Sequence, residues 1–242
     1  MLADSQYPAE GLGSLGKEVK LPKTFLQELI TFIASELPIW RDRPDRKRES
    51  SETSLSAQLC AHLNSAARHT KGLDILQFRQ EEPDDHTKSR RIDLVAAPND
   101  TTICVDGRRH VDFDTLLPIE CKRLPTPNDP DRDEREYVFS RHSSTGGIQR
   151  FKAGHHGAGH ALAAMIGYVQ QETCDVWNVR IGEWINSLIA SKQEGWSDKD
   201  LLQLENLDST RRTAALRSFH TRLNGNMNIE LRHLWVQLNL DN

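Results

Sequence analysis

Asp93, Glu120 and Lys122 are the residues of this chain whose types and spacing are suited to chemistry on a phosphodiester. Within Ile119-Glu120-Cys121-Lys122-Arg123, alternation along a strand puts positions i and i+2 on one face, so the Glu and Lys project together while Cys121 turns away. Asp93 stands in Arg91-Ile92-Asp93-Leu94, a largely apolar segment that presents one acid where a core strand disfavours any. Two carboxylates converging from neighbouring strands are hard oxygen ligands suited to Mg²⁺ or Mn²⁺. Such an ion lowers the pKa of a bound water and neutralises charge in the transition state, and Lys122 can position that water or stabilise the developing anion. The competing structural reading is a buried ion pair at a strand end.

The elements that must position these groups follow from periodicity. Thr24 caps an amphipathic segment carrying Phe25, Leu26, Leu29, Ile30, Ile33 and Leu37, a predicted helix that ends near Pro38. Before it, residues 1 to 22 mix Gly, Ser and Pro and read as a loose arm; after it, residues 41 to 48 read as a charged, exposed linker. Leu55, Leu59, Leu63 and Ala66 recur at spacings of three and four, predicting a helix over residues 53 to 69 with Glu52 at its entrance. The period then changes to strands at residues 75 to 79 and around Ile92, Leu94 and Val95, and Asp106-Gly107 predicts a tight hairpin within residues 101 to 114. Residues 116 to 122 form an apolar strand whose end becomes polar, and residues 123 to 146, rich in Pro, Asp and Arg, read as a long mobile loop. Residues 159 to 170 are small and apolar and read as a helix lying close on a sheet, followed by a second helix over residues 176 to 190. An acidic stretch (194 to 208) then gives way to a basic one (211 to 233), and residues 218 to 223 and 229 to 240 flank Asn224-Gly225-Asn226 as a hairpin with Leu234, Val236, Leu238 and Leu240 on one face.

In this order the residues resemble the PD-(D/E)xK nuclease superfamily, the restriction-endonuclease-like fold: a helix bearing an acid, a strand with Asp, a strand with Glu-x-Lys, then a helix. Glu52, Asp93 and Glu120-x-Lys122 are the matching positions, over roughly residues 50 to 170. The resemblance implies that Asp93 and Glu120 hold one or two divalent ions, that Glu52 completes the metal shell, and that Lys122 assists the nucleophile. It places Gln149, Arg150 and Lys152 opposite the scissile phosphate, where Arg150 can bind in bidentate fashion; a polar helix start on the surface is the alternative. Two departures stand out: no Pro precedes Asp93, and the chain between Asp93 and Glu120 is longer than a hairpin needs, leaving Asp112 and Asp114 as rival ligands.

Several weaker signals remain. His156 and His160 are four apart, but Gly157 and Gly159 favour a mobile lid or phosphate-contacting loop over a zinc site. Arg217, His220, Arg222, Arg232 and His233 form either a basic face on the C-terminal hairpin or solvated residues guarding a sheet edge. Trp40, Trp177, Trp184, Trp196 and Trp235 are not interleaved with basic residues, and most read as core or interface, not base-stacking platforms.

The 242 residues suit one α/β core with additions. With 31 basic and 35 acidic residues and a net charge of −4, the chain does not grip nucleic acid by bulk electrostatics, so any such affinity is local, metal-assisted or supplied by a partner. Cys60, Cys104, Cys121 and Cys174 form no C-x-x-C pair, which excludes a zinc ribbon and points to a reducing compartment. No signal peptide and no run of about 18 apolar residues is present, so the expectation is a cytoplasmic protein without a membrane span. The expected fold is α/β: a mixed central sheet of about four or five strands flanked by helices, with an N-terminal arm and helix (1–48), a restriction-endonuclease-like nuclease core (49–172) and a C-terminal helical and hairpin extension packed on it (173–242). The expected function is Mg²⁺- or Mn²⁺-dependent endonucleolytic hydrolysis of DNA, with RNA as a further substrate class, in restriction, repair or anti-phage defence. Targeting or activation would come from a protein partner, or from a homodimer. A non-catalytic nucleic-acid-binding or structural subunit of the same fold is the rival.

Overall fold

The computed structural model describes residues 17–84, 90–142, 146–223 and 227–238. Its main body is a seven-stranded mixed sheet built from β2 (Leu76–Pro83), β3 (Arg91–Pro98), β6 (Leu117–Leu124), β7 (Leu162–Val169), β8 (Gln203–Asp208), β9 (Thr213–His220) and β10 (Ile229–Gln237), in the order β2-β3-β6-β7-β10-β9-β8. The three central strands β6, β7 and β10 are parallel, and the outer pairs are antiparallel. A second, three-stranded sheet joins β1 (Lys17–Lys20), β4 (Thr101–Val105) and β5 (Arg108–His110). The chain is therefore α/β with mixed sheets, as expected, but with more strands in the main sheet.

One face of the sheet is covered by α1 (Phe25–Arg41) and α2 (Glu52–Arg68), whose Leu29, Ile33, Leu37, Leu55, Leu59 and Leu63 pack against Leu94, Ile119, Ile166 and Leu234. The other face is covered by α3 (Gly147–Lys152) and α4 (Cys174–Ala190), where Phe151, Trp177, Ile181 and Ile185 meet Ala163, Met165, Leu231 and Trp235. Ser51 caps α2 by accepting the Ser54 N–H at 3.2 Å, which places Glu52 as the first helical residue. At the β4–β5 turn, Asp106 and Gly107 both adopt positive φ, 49° and 74°, the requirement of a two-residue hairpin joining Val105 to Arg108.

Several expectations are corrected. Residues 162–169 form a central strand, β7, not a helix: both faces of β7 are covered, so its sequence is a continuous apolar run without alternation, and it is read only by its pairing with β6 and β10. The close neighbour is specific, since a Cβ at Gly167 would stand 2.4 Å from Trp235 Cδ1. Helix α1 continues past Pro38 to Arg41, because Arg41 is anchored: its Nη1 donates to the Arg211 carbonyl at 2.6 Å and its guanidinium pairs with Asp42. The segment after β6 is pinned by buried Tyr137, Val138 and Phe139. Lys17–Lys20 pairs with β4 and so belongs to a sheet, and the acidic stretch supplies the unanticipated edge strand β8. Strand β9 begins at Thr213, earlier than expected; the residues before Lys17, Asn224-Gly225-Asn226 and Leu240 lie outside the described residues. Among the described residues no helix is long and apolar enough to cross a membrane.

Candidate active site

The ladder between β3 and β6 ends at the pair Leu94–Ile119. Beyond it the two strands part, and the next residues on each are Asp93 and Glu120. The Cys121 N–H, which has no ladder partner on the β3 side, donates instead to Asp93 Oδ2 at 2.7 Å. Cys121 points into the α1/α2 core, so strand alternation turns Glu120 and Lys122 to the opposite face. Lys122 Nζ lies 2.9 Å from Glu120 Oε1 and 3.2 Å from Glu52 Oε1. Glu52 Oε2 also accepts the Arg123 N–H at 3.3 Å, so the first turn of α2 is stitched to the polar end of β6. The four residues Glu52, Asp93, Glu120 and Lys122 are thus brought to one place from three elements.

Two further groups come from the segment between β6 and β7. Arg150 of α3 donates from Nη1 to Glu120 Oε1 at 2.7 Å. The helix can approach because Gly147 has no Cβ; one there would meet Met165 Cε at 2.5 Å and the Tyr137 carbonyl at 2.8 Å. His156, buried in the loop after α3, places Nδ1 at 3.1 Å from Glu120 Oε2. There the ring nitrogen faces the carboxylate oxygen and helps to hold that carboxyl low.

Electrostatics follow from three carboxylates in a largely buried cluster. Burial, reinforced by the charge of Glu120, pushes the Asp93 carboxyl up to about 8. Burial acts in the same direction on the fully buried Glu120, but Lys122, His156 and Arg150 outweigh it and hold this carboxyl well below the usual range. Lys122 is held above the ordinary lysine value because Glu120, Asp93 and Glu52 overcome its desolvation. At neutral pH the centre of the cluster is therefore a charged Glu120–Lys122 pair beside a carboxyl at Asp93 that retains its proton.

The remaining expected site residues lie elsewhere. Gln149 turns back, its Oε1 accepting the Ser140 and Gly146 N–H groups at 3.0 and 3.2 Å, and so caps α3. Lys152 is buried in an ion pair with Asp200, its ammonium 5.0 Å from the Trp196 ring centroid. Of the rival ligands, Asp112 faces the Thr101 N–H at the start of β4 and Asp114 accepts the Val111 N–H in a local turn. The His155–His160 loop is not a loose lid. Arg222 donates to the carbonyls of Gly157, Ala158 and His160 at 2.6 to 2.9 Å, and Asp84 Oδ2 accepts the Gly157 N–H at 3.0 Å. The proposed basic face on the C-terminal hairpin is dispersed for a physical reason: Arg222, His220 and His233 are spent in buried contacts, and Arg217 and Arg232 pair with Glu205. Buried Trp40, Trp177 and Trp235 belong to the core. His156 as a neighbour of Glu120 has only a faint sequence signal, its Gly-flanked loop, because the contact spans the whole α3 connection.

Among the described residues no three His, Cys, Asp or Glu side chains form a ready-made metal cage. The donor chemistry nevertheless fits a hard divalent ion, because the Asp93, Glu120 and Glu52 carboxylates lie within electrostatic reach in one cluster. No family model, curated protein or solved structure significantly matches the chain.

Proposed function

We propose that the chain is a metal-dependent endonuclease of the restriction-endonuclease-like fold that hydrolyses DNA phosphodiester bonds. The observation that carries this reading is the convergence of Asp93, Glu120, Lys122 and Glu52 where β3 and β6 part. Asp93 and Glu120 would hold Mg²⁺ or Mn²⁺, with Glu52 as auxiliary ligand. The ion, when bound, supplies an activated water and neutralises transition-state charge. Lys122 would orient the attacking water and stabilise the developing anion, and Arg150, paired with Glu120, would take the scissile phosphate on release from that carboxylate. Local attraction for a polyanion comes from Arg90 and Arg150, each within electrostatic reach of His155, despite the negative net charge. The reading extends to a role in restriction, repair or anti-phage defence, in the cytoplasm, with targeting by a protein partner or a second copy.

A second reading is favoured by the internal pairing of Glu120 with Lys122 and Arg150, the arrangement of a structural ion cluster: a non-catalytic nucleic-acid-binding subunit of the same fold. Cleavage of plasmid DNA, single-stranded DNA and RNA by the purified chain with Mg²⁺, Mn²⁺ or EDTA separates the two. Metal-dependent cutting of DNA lost in both Glu120→Ala and Lys122→Ala is expected. Cutting that survives both substitutions refutes the site, and binding without cutting supports the second reading.

A further inference from the structure

The stretch that ends α1 and leads towards α2 is strongly basic: residues 41–48 hold five Arg or Lys and two Asp, an excess of three positive charges. Both acids are taken. Asp42 pairs with Arg41 at 2.6 Å and faces Arg212 at 3.7 Å, and Asp45 accepts two bonds from Arg43 at 2.6 and 2.9 Å. Arg46 is left without a carboxylate in direct contact among the described residues; burial and the charges of Arg48 and Arg41 lower its pKa, with only partial relief from Asp42. This stretch and α2 enclose a cleft of about 530 Å³, within the range of small-molecule sites. Its floor is low because Ala57, Ala61 and Ser65, successive turns of the exposed face of α2, have small side chains. Four residues that line it carry a polar atom shielded from water and without a hydrogen-bond partner among the described residues: Trp40 Nε1, Arg46 Nη1, Gln58 Oε1 and His62 Nδ1. Trp40 and His62 are 1% and 8% exposed. Arg46 donates from Nε to the Arg41 carbonyl at 3.1 Å and lies over the Trp40 ring, 5.1 Å from its centroid. His62 holds Glu36 through Nε2 at 2.8 Å, so Nδ1 of the neutral ring is an acceptor. Buried polar atoms seldom go unbonded, and two donors with two acceptors around one cleft outline a ligand.

We propose that this cleft binds a free nucleoside phosphate whose base carries an exocyclic amino group. The phosphate takes the donors, Arg46 Nη1 and the Trp40 N–H, with the Lys47 ammonium on the same rim; charge-assisted bonds of this kind are the strong ones. The amino group takes the acceptors. Gln58 and His62 stand four apart on α2 and so are neighbours on its surface, Oε1 and Nδ1 each accepting one N–H. An excess of positive charge favours a phosphate joined to a neutral donor over a zwitterion such as an amino acid, whose ammonium it would repel, and the cleft is larger than an inorganic ion needs. Arg46, half-buried on the loop, lies over the indole and must swing outward as the ligand enters. The inference goes beyond the nuclease reading and does not rest on it.

The experiment is isothermal titration of the full chain, free of nucleic acid and metal, with AMP, GMP and CMP, and with IMP, UMP, the parent nucleosides and inorganic phosphate for comparison. At least one of the three amino-bearing nucleotides is expected to bind. It should bind about tenfold or more tightly than IMP or UMP, which lack that amino group, and than its own nucleoside, the scale of a lost hydrogen bond to a charged or buried partner. Arg46→Ala is expected to erase the preference for nucleotide over nucleoside, and Gln58→Leu the preference for the amino group; a merely structural role for either residue would move neither ratio. No binding of any of the three, equal affinity for nucleotide and nucleoside, equal affinity with and without the amino group, or inorganic phosphate bound as tightly as the nucleotide overturns the proposal. So does binding of single-stranded oligonucleotides alone, which would make the cleft part of a nucleic-acid path. These measurements use the wild-type protein and do not depend on a variant folding.

Discussion

Asp93 receives the backbone N–H of Cys121 at the point where β3 and β6 separate, so a side chain of one strand takes the place of the ladder bond that the other strand has lost. The separation opens the sheet next to Glu120, and the same hydrogen bond closes the accounting for a buried amide. Burial first, and the neighbouring Glu120 charge second, push the Asp93 carboxyl up to about 8, although the Cys121 N–H pulls the other way.

That proton has a stability consequence. A carboxyl whose folded pKa lies above its unfolded value opposes folding as pH rises from about 4 to about 8. In EDTA, Asp93→Asn is therefore expected to raise the thermal midpoint at pH 8 and to leave it nearly unchanged at pH 4. Thermal melts across that range check this; a midpoint that falls at pH 8 would show that the Cys121 contact outweighs the repulsion.

Histidines act in the opposite direction. His220 and His233 are buried and joined through Ser218 Oγ at 2.6 and 2.7 Å, and burial lowers both imidazole pKa values. Their folded pKa values lie below the unfolded one, so stability is present above about pH 6.5 and is lost as pH falls below it, by up to about 1.4 kcal/mol per pH unit for each histidine. Asp93 offsets one of the two. Denaturant titrations between pH 6 and 5 should thus show a shallower loss for the wild type than for Asp93→Asn; parallel slopes would contradict the opposed linkages.

The Lys152–Asp200 pair, shared with His220, is expected to be costly to break and cheap to replace. Asp200→Ala leaves a buried ammonium uncompensated and should cost about 3–5 kcal/mol, while Lys152→Met combined with Asp200→Leu should cost less than the single change. Urea unfolding of the three proteins measures both numbers. Greater loss in the double variant would mean that the His220 contact, not the charge pair, holds this corner.

Gly167 lies in register with Lys122 across β6 and β7, and its open side is filled by the Trp235 indole. Gly167→Ala should destabilise by about 1–3 kcal/mol through overpacking. A neutral result in equilibrium unfolding would require the indole, held by its donated hydrogen bond to Tyr137 at 2.8 Å, to move freely.

If the site takes DNA, Arg90 and Arg91 at the start of β3 contribute to the backbone contact. Changing both to Ala should lower the slope of log binding constant against log salt by about 2, one per phosphate contact, with little change in sequence preference. Fluorescence anisotropy on labelled duplex over a salt series tests this, and an unchanged slope places the substrate elsewhere.

What the sequence determined by itself was local. Strand alternation at Glu120-Cys121-Lys122, the apolar spacing of α2, and the Asp106-Gly107 turn each depend on residues a few positions apart, and each forms as read. Tertiary structure decided the rest. Residues 162–169 are a strand only because β6 and β10 pair on either side and cores cover both faces, a context that removes the alternation by which strands are recognised. Glu52 reaches Lys122, and His156 reaches Glu120, across intervals no local pattern encodes. The buried fate of His220, His233, Arg222 and Lys152 likewise depends on partners distant in the chain, because a charge or an imidazole looks the same in sequence whether it meets solvent or a buried carboxylate.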